Sequence, residues 1–131
     1  MHKTILALAL STALTGVAIA QTAGPKFITP QSNDFVSSRV VGLDIYDNSN
    51  HNIGKIQDIV FDNSKTIKGY ILSVGGFLGM GERYVAVDPS SVAVKYDDND
   101  KKWHANMNAT SDELKAAPEF KYTGRWSSSK S

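Results

Sequence analysis

Val40-Val41-Gly42-Leu43-Asp44-Ile45-Tyr46, then Asp47-Asn48-Ser49-Asn50-His51-Asn52, then Ile53-Gly54-Lys55-Ile56-Gln57-Asp58-Ile59-Val60-Phe61 is the stretch that decides the fold class. The first segment alternates, with Val41, Leu43 and Ile45 on one side and Asp44 and Tyr46 on the other, the period of a half-buried strand. The middle segment is a turn, because Asn and Asp accept positive φ and bond their own backbone. The third segment is again apolar and β-branched, but Ile53 and Ile56 fall out of phase around Gly54. One extra residue in a bulge restores the phase.

The same grammar continues along the chain. Asp62-Asn63-Ser64-Lys65 closes a hairpin, and strands are expected over 67–74, 84–87, 92–96 and 103–107, the last two joined by Asp97-Asp98-Asn99-Asp100. Six short strands predict an all-β domain, a small antiparallel barrel or sandwich, and closure into a barrel would remove exposed edges. Thr110-Ser111-Asp112-Glu113 has capping-box spacing, so one short helix should follow and end before Pro118. Glu119-Phe120-Lys121-Tyr122 alternates briefly, and residues 123–131 read as a disordered Ser-rich tail.

Working toward the N-terminus, residues 21–36 are polar and punctuated by Gly24-Pro25 and Thr29-Pro30, a linker in which Phe27 and Ile28 supply apolar surface. Residues 1–20 have the three zones of a secretory signal peptide: His2 and Lys3, an apolar run from Ile5 to Leu14, and Ala18-Ile19-Ala20. Cleavage is expected between Ala20 and Gln21. The apolar run is shorter than the roughly 20 residues of a permanent anchor. The expected location is therefore the periplasm or the exterior, with no stable membrane anchor once the signal is removed.

Cysteine is absent from the 131 residues, which excludes a thiol nucleophile, disulfides, a Cys-zinc site and a lipid-modified cysteine. Removing residues 1–20 takes Lys3 from the fourteen basic residues and leaves thirteen against thirteen acidic. That balance gives no basic surplus for nucleic acid or an anionic membrane.

Several constellations invite chemistry and can be weighed from spacing. Gly75-Gly76-Phe77-Leu78-Gly79-Met80-Gly81-Glu82-Arg83 matches neither glycine-rich phosphate pattern. Its glycines permit positive φ, while Phe77, Leu78 and Met80 either plug the barrel end or form a partner-binding surface. Asp97, Asp98 and Asp100 lack the glycine and glutamate of a calcium loop, and Lys101 and Lys102 compete for the charge. His51 and His104 have no ligand-spaced His or Cys. No Ser occupies a nucleophile elbow. Asp58 lies mid-strand, where a charge is costly unless paired, and is expected to accept bonds from backbone amides or Lys55.

Ser37-Ser38-Arg39-Val40-Val41-Gly42, Asn52-Ile53-Gly54-Lys55-Ile56-Gln57-Asp58, Val74-Gly75-Gly76-Phe77-Leu78-Gly79-Met80-Gly81, Val85-Ala86-Val87 and Asp112-Glu113-Leu114-Lys115-Ala116-Ala117-Pro118-Glu119-Phe120 together resemble the PRC-barrel domain. Small exported alphaproteobacterial members are the most similar kind. The resemblance covers residues 37–122 and implies a six-stranded β-barrel with one short C-terminal helix. The fold also occurs in the cytoplasmic part of the photosynthetic reaction centre H subunit and in a ribosome-maturation factor, where it works as a docking module. It implies no catalytic residues and no cofactor.

The expected function is thus a non-catalytic protein-interaction module of the bacterial envelope, with residues 75–83 as its contact surface. Its partner would be another protein, with self-association also open. The alternatives are a small-ligand binder or enzyme using a pocket on the barrel, and a structural or stress-related envelope protein acting through abundance.

Overall fold

The computed structural model describes residues 24–75 and 81–127, in two units that divide between Asp34 and Phe35. The signal segment 1–20 and its cleavage point lie outside the described residues, as do 76–80 of the glycine-rich loop and the last four residues of the tail. In the first unit, residues 24–31 carry no regular secondary structure and lead into a turn at 32–33. There the Asp34 carboxylate accepts the Gln31 amide at 2.7 Å while the Asp34 amide donates to the Gln31 carbonyl at 3.0 Å.

The second unit is mostly β. It begins with a helical turn, α1 (Ser37–Val40), followed by β1 (Asp44–Tyr46), β2 (Asn52–Phe61), β3 (Ile67–Gly75), β4 (Glu82–Val87), β5 (Ala93–Asp97), β6 (Lys102–Asn106) and α2 (Ser111–Ala116). The strands form one six-stranded sheet in the order β4-β3-β2-β1-β6-β5. Among the described residues no helix is long and apolar enough to cross a membrane.

Three turns are built alike, each opened by an aspartate. The Asp47 carboxylate accepts the amides of Ser49 and His51, Asp62 those of Ser64 and Thr66, and Asp97 that of Asn99. Each turn also holds one residue at positive φ: Asn50 at 65°, Lys65 at 69° and Lys101 at 59°. Each reversal is thus held by side-chain bonds within the turn itself.

The expected bulge is present. Ile45 pairs with Gly54 and Tyr46 with Asn52, so Ile53 is the extra residue, and both Ile53 and Ile56 reach the core. Near its start the chain departs from the expected strand over 40–46. Val40 ends α1 and is buried, Val41 is exposed, and Gly42 at φ 99° turns the backbone before β1 begins. Val40 therefore fills the core position that alternation assigned to Val41.

The antiparallel closed barrel is corrected in two respects. β1 pairs with β6 in parallel, and among the described residues β4 and β5 form no ladder, so the sheet is mixed and open. Hairpin neighbours are antiparallel because a tight turn reverses the chain, whereas β1 and β6 meet across the whole domain and no turn dictates their direction. The sheet is nevertheless curled. Laid flat, its outer strands would stand roughly 24 Å apart at the usual strand spacing. The link Asp88–Val92 spans at most about 21 Å from Val87 to Ala93.

Inside the curl, Ile45, Ile56, Leu72, Val74 and Val85 are almost fully buried, joined by Val40 from α1 and Leu114 from α2. The helix is anchored as its sequence requires. Thr110 Oγ1 accepts the Glu113 amide at 3.0 Å and Glu113 Oε1 accepts the Thr110 amide at 3.0 Å. Replacing Thr110 by Ala is expected to cost about 0.5–2 kcal/mol, the usual loss of an N-cap hydroxyl. Denaturant melts measure it, and an unchanged midpoint would show that α2 adds nothing to the fold.

β3 is buried on both faces from Gly69 to Val74. Tyr70, Leu72 and Val74 belong to the core cluster, while Ile71 lines a groove with Phe120, Tyr122 and Trp126 from the chain beyond α2. This segment, residues 117–127, also reaches the edge of β4, where the Phe120 amide donates to the Tyr84 carbonyl at 2.7 Å. The strap supplies part of the edge protection that barrel closure was expected to give.

Candidate partner-binding site

Of the glycine-rich loop, Gly75, Gly81, Glu82 and Arg83 are described; Gly76, Phe77, Leu78, Gly79 and Met80 are not. Gly75 ends β3 at φ 85°, a conformation that only glycine adopts freely. The polar pair at the far end is occupied by the fold itself. Glu82 accepts from the hydroxyls of Ser73 and Tyr84, which gives the buried Ser73 side chain a partner. Arg83 donates to the Ala117 carbonyl at 2.6 Å and so ties β4 to the end of α2. A polar cleft of about 210 Å³, lined by Asp44, Asn52, Lys55, Ser73 and Glu82, lies at the loop's base.

The other sequence candidates are placed as follows. His51 stands 3.4 Å from Asp47 and is exposed. Asp97, Asp100 and His104, not grouped by sequence spacing, come together, with His104 Nε2 2.7 Å from Asp100 Oδ2. These carboxylates already hold the turn, accepting the Asn99 amide at 2.8 Å and the Lys102 amide at 3.0 Å. The geometry agrees with a solvated hairpin turn.

Asp58 has one of its two expected donors, a backbone amide, and not the other. It is exposed and its bonds do not involve Lys55: Oδ1 accepts the Ile59 amide at 2.9 Å and Oδ2 accepts the Tyr122 hydroxyl at 3.1 Å. The bulge explains the exposure. Ile56 pairs with Leu72 and Asp58 with Ile71, so Gln57 is an extra residue that shifts the strand's phase.

Around Asp58 is a groove of about 260 Å³ lined by Ile59, Val60, Phe61, Ile71, Phe120, Tyr122 and Trp126. Its aromatic wall is ordered by two edge contacts and one tilted contact. Phe120 and Tyr122 meet at 4.9 Å between centroids with planes at 87°, Tyr84 and Tyr122 at 5.3 Å and 82°, and Phe120 and Trp126 at 5.7 Å and 39°. Phe61 of β2 and Trp126 of the strap nevertheless stay 54% and 59% exposed, so the strap covers the sheet without burying either ring. An apolar aromatic surface left in water beside a groove is the usual mark of an interface. Sequence reading singled out Asp58 but not the groove around it, because the two walls are about sixty residues apart.

Burial first, then the hydrogen bond to Asp58, pushes the Tyr122 phenol above its ordinary value. The folded protein therefore keeps a proton that the unfolded chain loses above about pH 10, and stability must fall as pH rises through that value. Tyr122→Phe is expected to lose less stability than the parent between pH 9 and 11. Thermal melts across that window measure it, and parallel curves would show that the Tyr122 proton is not coupled to folding.

The family description for the PRC-barrel domain matches residues 33–113. The match ends before Phe120, Tyr122 and Trp126, so it covers the β2 wall of the groove and not the strap. No match was found among curated proteins.

Proposed function

The chain belongs to the PRC-barrel domain family, and from that premise we propose that it is a non-catalytic docking module of the bacterial envelope. The reading places it in the periplasm or outside the cell after cleavage between Ala20 and Gln21. It takes another protein as partner. The observation that carries it is the exposed aromatic groove formed by Phe61, Phe120, Tyr122 and Trp126. The glycine-rich loop, with Phe77, Leu78 and Met80, is a second contact surface in this reading.

The test places a photo-crosslinker at Phe61, Trp126 or Phe77 of the exported protein, with Asp98 as a control position. The same protein should be captured from one or more of the first three positions and not from Asp98. It should then bind the purified domain saturably. Phe61→Ser combined with Trp126→Ser should weaken that binding while leaving the melting midpoint nearly unchanged, since exposed side chains contribute little to folding. Equal capture from Asp98, or no saturable binding in purified form, would overturn the proposal.

A further inference from the structure

We propose that the groove between β2 and the C-terminal strap is an anchor site for one arginine side chain of a partner polypeptide, with Asp58 pairing the guanidinium and the aromatic residues stacking against it. This rests on the docking reading and gives it a chemistry.

Charge comes first. Asp58 is the one charged residue lining the groove, and among the described residues it has no basic partner. Each of its oxygens accepts one bond from the protein, from the Ile59 amide and the Tyr122 hydroxyl. Those two donors orient the carboxylate and leave each oxygen a further lone pair, because an ionised carboxylate offers about four acceptor sites. Two parallel N–H donors match that arrangement, and a guanidinium presents them in a rigid fork.

The walls agree with the same ligand. Phe61, Phe120, Tyr122 and Trp126 present aromatic surface around one carboxylate, a combination that attracts a weakly hydrated planar cation. An ammonium is more strongly hydrated and has no plane to stack, so lysine fits less well. Size limits the occupant too. About 260 Å³ lies below the roughly 300–1,000 Å³ of sites that enclose a drug-sized ligand, and suits one long side chain. The rest of the partner would then cover the exposed rings of Phe61 and Trp126, which the chain's own strap leaves in water.

The probe is N-acetyl-arginine methylamide, titrated into the full mature chain against N-acetyl-citrulline methylamide, its neutral counterpart of nearly the same shape. Amide chemical shifts are the readout. Saturable shifts should appear at residues 58–61 and 120–126, with the citrulline compound about tenfold weaker once the charge-assisted bonds are lost. Asp58→Asn should erase the preference for arginine. Trp126→Ala, a change at an exposed position that leaves the core intact, should weaken both compounds.

Equal binding of the two compounds, shifts mapping elsewhere, or tetramethylammonium binding as tightly as arginine would overturn the assignment. A crosslinked partner that binds Asp58→Asn with unchanged affinity would overturn the arginine anchor alone and leave the docking reading standing. Absence of any captured partner would overturn the docking reading, while the arginine-selective shifts are measured without it.

Discussion

Replacing Leu72 by Ala is expected to remove about 2–5 kcal/mol of stability, the range for deleting a large buried aliphatic side chain. Leu72 sits at the centre of β3, paired with Ile56 on one side and Val85 on the other, and has no exposed surface. The cost has two parts, the lost transfer free energy and the cavity left behind. Here the cavity cannot collapse easily, because both neighbouring strands are held by ladders on either side of β3. For a small domain the loss is a large share of the roughly 5–15 kcal/mol that separates folded from unfolded chains. Urea unfolding should show a lower midpoint with the slope unchanged. An unchanged midpoint would mean that the Leu72 side chain does not contribute to the core.

Gly54→Ala is the second large effect, about 1–3 kcal/mol or more, and its cause is overpacking. A Cβ on Gly54 would stand 2.8 Å from the Ser73 carbonyl oxygen and 3.8 Å from Val74 Cγ2. The nearer atom is backbone, so relief requires β2 and β3 to move apart rather than a side chain to rotate. The position lies beside the Ile53 bulge and lines the polar cleft at the base of the glycine-rich loop. Amide exchange should therefore rise first in β2 and β3 around this point, together with a lower melting midpoint. A variant as stable as the parent would show that the close approach does not constrain the sheet.

The two effects differ in how visible they are from sequence. Leu72 stands in an apolar run whose burial any pattern reading assigns. Gly54 stands where the hydrophobic phase breaks, and that break marks the bulge in the sequence itself. What the phase could not show is the reason for glycine, which is the distance to a carbonyl on the neighbouring strand.

The amino-acid sequence by itself determined the local structure of this protein. Its Asp-led turns, its capping box at Thr110 and Glu113 and its bulge at Ile53 follow from interactions among residues a few positions apart. The PRC-barrel resemblance rests on short motifs in order and spacing, from Ser37–Gly42 through Asn52–Asp58 to Asp112–Phe120. Tertiary structure alone decided the parallel pairing of β1 with β6, the open edge at β5, and the meeting of Asp58 with Tyr122 across 64 positions. Periodicity reports which face of a strand is apolar and turn chemistry reports where the chain reverses. Neither carries information about which distant segment comes to lie on that face. The groove belongs to that second kind, since β2 supplies one wall and the strap after α2 the other, and only packing the strap over β3 brings them together.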